Sequence, residues 1–144
     1  MQKTLLVSHG DLSKGFVSSL EVITGVIPGI DTISMGTEES LEEMKDKIES
    51  YVEQCSNEDI IIILCDLPIG TTTKAAIPTI YQNKDVYVIS GINLPLLLTV
   101  VLTDLLGNTT DLIRDIVEES KSTILFMNDV LNDVEEERKE ELEC

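Results

Sequence analysis

Apolar and polar positions alternate along this chain in two periods. A short apolar run from Thr4 to Ser8 reads as a strand, and Leu12, Phe16, Leu20 and Ile23 then recur at helical spacing. Gly25 is placed to stop that helix and Asp11 to cap its start. After the turn at Pro28-Gly29, Ile30–Met35 predicts a second short strand. Leu41, Met44, Ile48, Val52 and Cys55 form one helical stripe, with Ser40 and Glu43 in the form of a capping box and Thr37 as an earlier alternative cap. Ile60-Ile61-Ile62-Ile63-Leu64-Cys65 is unbroken and β-branched, as expected of a central parallel strand buried on both faces. Thr71–Tyr81 predicts a helix that Pro78 should kink or end early, and Asp85–Ser90 predicts a fourth strand. Pro95 suits the first turn of another helix, preceded by Asn93 or Leu94. Leu112, Ile113, Ile116 and Val117 mark a further helix, with Thr109 or Thr110 as its cap. Ser122–Met127 reads as a fifth strand, antiparallel at an edge or paired with a second subunit. Asp133 to Glu143 holds seven acids and two bases, a solvated helical or frayed end.

Strands alternating with helices define an α/β class with a mainly parallel sheet. The expected organisation is one domain over residues 1–130 and an acidic tail over 131–144. The longest apolar stretch, Leu94 to Leu106, is broken by Pro95, Thr99, Thr103 and Asp104 and falls short of a membrane span. No signal-peptide pattern follows Met1. Cys55, Cys65 and Cys144 are odd in number and far apart, which argues for reduced thiols and a cytoplasmic setting. Cys144 reads as an exposed thiol in a mobile end. A formal net charge of -17 disfavours nucleic acid and suits solubility, or encounter with a basic partner.

Three loops should open on one edge of such a sheet: Ser8-His9-Gly10, Asp66 to Thr73, and Gly91-Ile92-Asn93. His9 is the one histidine of the chain. It sits where a strand ends and a helix begins, and ligands of open α/β sheets bind outside the carboxyl ends of strands. A neutral imidazole can attack through one nitrogen if a carboxylate holds the proton on the other. Asp66, at the end of the central strand, is the best candidate for that carboxylate. Helix starts after Gly10 and near Thr71 would supply amides for phosphoryl oxygens, and Thr71, Thr72 and Thr73 would add hydroxyls. Gly10, Gly70, Thr71 and Thr72 are therefore the candidate phosphate-binding positions. Direct transfer between proteins asks for positioning and electrostatics, with no metal or cofactor. One histidine and scattered cysteines do not make a metal site. Gly70-Thr71-Thr72-Thr73-Lys74 lacks the frame of a nucleotide-binding loop.

The chain resembles the IIA component of the mannose/fructose/sorbose-type bacterial phosphotransferase systems. The likeness runs to about Met127. It rests on Leu6-Val7-Ser8-His9-Gly10, on the strand into Asp66 with Gly70-Thr71-Thr72-Thr73-Lys74-Ala75-Ala76 after it, and on Val88-Ile89-Ser90-Gly91-Ile92-Asn93-Leu94-Pro95. The resemblance implies a cytoplasmic phosphotransferase with a phosphohistidine intermediate and a flavodoxin-like sheet of four parallel strands. It also implies a C-terminal strand exchanged in a homodimer. The phosphorylated histidine falls on His9 and its supporting aspartate on Asp66. The donor would be the phosphocarrier protein HPr and the acceptor a IIB component that serves a membrane permease. The family's Asp-x-x-Gly-Gly-Ser-Pro becomes Asp66-Leu67-Pro68-Ile69-Gly70-Thr71-Thr72 here, and Lys74 stands where asparagine is usual. A regulatory or interaction module on the same fold, or a carrier serving a dihydroxyacetone kinase, are the alternatives.

Overall fold

A computed structural model describes residues 1–143. Cys144 lies outside the described residues, and with it the expectation of an exposed terminal thiol. The elements follow in the order β1 (Gln2–His9), α1 (Leu12–Thr24), β2 (Ile30–Met35), α2 (Leu41–Gln54), β3 (Ile60–Cys65), α3 (Thr71–Ala76), a 3₁₀ segment (Ile77–Tyr81), β4 (Asp85–Ser90), α4 (Leu94–Leu102), α5 (Thr109–Lys121) and α6 (Met127–Glu143). The four strands form one parallel sheet in the order β2-β1-β3-β4.

The apolar run of β3 is divided between two cores by the two-residue period of a strand. Ile61, Ile63 and Cys65 face α2 and α3, together with Leu5, Val7, Met44, Ile48 and Val52. Ile60, Ile62 and Leu64 face the other way, against Leu20, Leu96, Leu97, Val100 and Ile116 of α1, α4 and α5. All six residues of β3 are buried, as expected of a strand covered on both faces.

Chain direction and sheet order fix where a site can form. From β1 the chain runs outward to β2, then crosses back to β3 on the opposite side of β1. The carboxyl ends of β1 and β3 therefore flank the crevice at the topological switch point.

Local chemistry explains most boundaries. Ser40 caps α2 by accepting the Glu43 amide at 3.2 Å, which decides against Thr37. Asn93 caps α4 by accepting the Leu96 amide at 2.9 Å. Pro78 breaks the predicted helix after Ala76, and a 3₁₀ segment takes over. The cap expected of Thr109 or Thr110 is not made. Asn108 holds that position without a side-chain bond, and the Thr109 hydroxyl donates back to the Leu105 carbonyl at 2.7 Å.

The largest departure is at the C-terminus. The predicted fifth strand, Ser122–Met127, does not form in the single chain. The amides and hydroxyls of Ser122 and Thr123 turn back on the carbonyls of Glu119 and Ser120 and end α5. Ile124–Phe126 then runs exposed into α6, which buries no residue. The expected domain boundary after residue 130 falls inside α6. No helix among the described residues is long and apolar enough to cross a membrane.

Candidate functional site

Two strand ends meet at one carboxylate. β1 and β3 run in register up to Val7 opposite Cys65, so His9 and Asp66 emerge side by side. Asp66 Oδ2 accepts the His9 backbone amide at 2.7 Å and pairs with His9 Nδ1 at 2.8 Å. Asp66 Oδ1 accepts the Leu67 amide at 2.9 Å and the Thr72 hydroxyl at 2.7 Å. The Asp66 side chain is only 7% exposed, whereas the imidazole is 44% exposed. Burial pushes the Asp66 carboxyl up. The His9 amide, the Thr72 hydroxyl and the imidazole outweigh it, holding the group below the usual carboxylate range.

A carboxylate can only accept, so the ring places its proton on Nδ1 and leaves the lone pair of Nε2 free. Nε2 is thus the nitrogen available for attack. Cys65 offers no rival: the thiol is buried, and burial pushes it up to about 12.

The turn that presents His9 is held by Ser8, which sequence reasoning missed as a functional residue. Its buried hydroxyl donates to the Gly10 carbonyl at 2.9 Å and accepts the Ser13 amide at 2.8 Å. Ser8 therefore takes the capping part expected of Asp11, whose side chain makes no cap bond. The usable signal was a serine just before a glycine turn, a setting where hydroxyls bond local backbone. Gly10 has φ +58°, a conformation that suits glycine, and its amide donates to the Met35 carbonyl at 2.9 Å.

Gly70 sits beside the ring in extended backbone, where a side chain would make ordinary contact with the imidazole. A Cβ there would stand 3.4 Å from His9 Cε1 and 3.5 Å from the Leu67 Cβ. Of the three adjacent threonines, Thr72 serves Asp66, and Thr73 donates to the Leu67 carbonyl and meets Ser90 Oγ at 2.9 Å. Thr71, partly exposed at the start of α3, makes no side-chain hydrogen bond among the described residues. The third loop joins through backbone: the Gly91 and Ile92 amides both donate to the Cys65 carbonyl. The arrangement is an oriented imidazole with one ring nitrogen unengaged, beside a helix start and, among the described residues, an unengaged hydroxyl.

The model of the PTS system fructose IIA component family matches residues 3–118. The chain belongs to this family. It is 33% identical to the sorbose-specific EIIA component of the phosphotransferase system of Lacticaseibacillus casei over 98 residues, 68% of this chain and 70% of that protein. The crystal structure of phosphotransferase system component EIIA from Streptococcus agalactiae is 27% identical, with a TM-score of 0.78, covering 89% of this chain and 98% of that one. A mannose/sorbose-specific IIA subunit from Enterococcus faecalis shares the fold at a TM-score of 0.78 and 22% identity, covering 86% and 92% of the two chains. The recognised family and the four-stranded parallel sheet thus agree with what the sequence led one to expect.

Asp66 also links the site of this IIA protein to its stability. With its carboxyl held low in the folded state, its contribution is present above the unfolded value near ~4 and is lost as pH falls through the folded value. Asp66→Asn should cost about 1–3 kcal/mol at neutral pH, because an amide cannot accept all four donors. The difference from the unsubstituted protein should shrink as pH falls below ~4. Urea unfolding at a series of pH values checks this, and a constant difference would contradict it.

Proposed function

We propose that this IIA protein carries a phosphoryl group on His9, taking it from phospho-HPr and passing it to a IIB component that serves sugar uptake. The observation that carries the reading is the single Asp66 oxygen shared by the His9 amide and Nδ1, which leaves Nε2 free. Nε2 attacks the phosphorus of the donor, and the donor nitrogen keeps the electron pair of the breaking bond. The ring then carries positive charge, which the Asp66 carboxylate offsets at 2.8 Å. The return step breaks the Nε2–phosphorus bond, leaving a neutral ring with its proton still on Nδ1.

In this reading Gly10, Gly70, Thr71 and Thr72 make up the phosphate pocket, with different duties. Gly70 leaves space beside Cε1 for the phosphoryl group, and Thr71 offers its hydroxyl and the first-turn amides of α3. Gly10 sets the turn, and Thr72 keeps Asp66 aimed at the ring. No metal or cofactor is needed, and the setting is the cytoplasm. The sorbose-specific relative favours a sugar system over service to a dihydroxyacetone kinase.

The working form in this reading is a homodimer that exchanges the segment around Ile124–Phe126. Two features support it. Among the described residues no strand neighbours the outer edge of β4, and Ile124, Leu125 and Phe126 are 82%, 58% and 67% exposed.

Incubation with phosphoenolpyruvate, enzyme I and HPr should add one acid-labile phosphate per chain, and His9→Ala should abolish it. Labelling that survives the substitution would overturn the assignment. Sedimentation equilibrium should give a dimer, and Phe126→Asp a monomer. A monomeric unsubstituted chain at micromolar concentration would contradict the exchange.

A further inference from the structure

Asp66 sets two demands against each other. A carboxylate in contact with an imidazole favours the doubly protonated ring, because opposite charges attract at short range. A ring that attacks through Nε2 has to keep that nitrogen unprotonated at neutral pH. Hydrogen bonds to the carboxylate reconcile the two, since each donor draws negative charge toward itself and leaves less for the ring. Of the four donors to Asp66, two are backbone amides and one is the ring. The fourth is the Thr72 hydroxyl, 2.7 Å from Oδ1 and the only donor carried by another side chain. Its proton is committed there, because the ionised carboxylate has none to give. Thr72 is fully buried, so water does not stand in for it. The next residue, Thr73, is buried too but gives its proton to the Leu67 carbonyl, and Ser90 therefore donates to Thr73. Thr72 also stands at the proline of the family pattern, which has no hydroxyl, so this donor is a property of the chain itself.

We propose that Thr72 is a positioning residue that tempers Asp66, drawing charge onto Oδ1 so that the carboxylate orients the His9 ring while Nε2 stays free at neutral pH. The inference rests on the phosphocarrier reading and names what regulates its nucleophile. Thr72 shares the aiming of Asp66 with the His9 amide on Oδ2 and the Leu67 amide on Oδ1. Each oxygen thus stays anchored when the hydroxyl is removed, and the loss acts chiefly on charge. More charge then faces the ring, which takes up its second proton at a higher pH. Asp66 is the one charged side chain bonded to the ring among the described residues. On the neighbouring elements, Met35 of β2 is uncharged, Asp11 before α1 pairs with Lys14 at 3.6 Å, and Lys74 is exposed on α3.

His9 is the one histidine, so NMR of the isotope-labelled ring reads its protonation without assignment. In Thr72→Val, which keeps the shape and removes the donor, the midpoint of the ring's titration should rise by about 0.5 pH unit or more. Thr72→Cys, a weaker donor, should move it the same way by less, and Thr72→Ser should restore it. Thr73→Val, which removes a buried hydroxyl that does not touch the carboxylate, should leave the midpoint within about 0.2 unit. The acid limb of loading from the small-molecule donor phosphoramidate should move with the ring in each variant. A midpoint that stays or falls in both Thr72→Val and Thr72→Cys, or rises equally in Thr73→Val, would overturn the tempering and leave the phosphocarrier reading intact. Failure of the unsubstituted protein to load would remove that reading, and with it the role of Thr72 in loading, whatever the ring's titration shows.

Discussion

Everything at the reactive edge depends on one buried carboxylate. Asp66 accepts four hydrogen bonds, and each donor belongs to a piece that has to be placed: the His9 backbone, the His9 ring, the loop at Leu67 and the α3 residue Thr72. A carboxylate this far out of water is tolerated only when its lone pairs are satisfied. That requirement makes the aspartate a structural clamp and an electrostatic partner at once. Moving any of the four donors leaves charge unsatisfied, so the imidazole has one favoured orientation and one favoured tautomer.

The clamp works because the sheet delivers both strand ends to the same place. Parallel pairing of β1 and β3 ends both strands at one edge, where Asp66 reaches the His9 amide and ring, and the switch in strand order opens the crevice there. Ser8 holds the turn from behind, and Gly70 lies beside the ring. The rigid parts of the site thus lie on strand ends and buried hydroxyls. The side chains of Leu67 and Ile69, by contrast, are left at the surface.

Much of this was legible in the sequence, for identifiable reasons. The six-residue run of β3 has no polar break, so only a strand covered on both faces suits it. Helix stripes, the Ser40 cap and the Pro78 break are local signals, and local signals survive folding. The closeness of His9 to Asp66 could be argued from strand order, but its bond pattern could not, since it follows from a register between residues 57 apart. Thr72 illustrates the same limit: three adjacent threonines look alike in a sequence, and helix geometry alone decides that one turns to Asp66. Ser122–Met127 has the apolar and β-branched composition of a strand, and a single chain places no strand beside it, so it stays unpaired there.

The central claim concerns one nitrogen, and phosphorus NMR of the phosphorylated protein with isotope-labelled imidazole reads it directly. The geometry predicts a single phosphohistidine, coupled through Nε2 of His9, with the proton retained on Nδ1 toward Asp66. Phosphate on Nδ1, or on any other residue, would contradict the account.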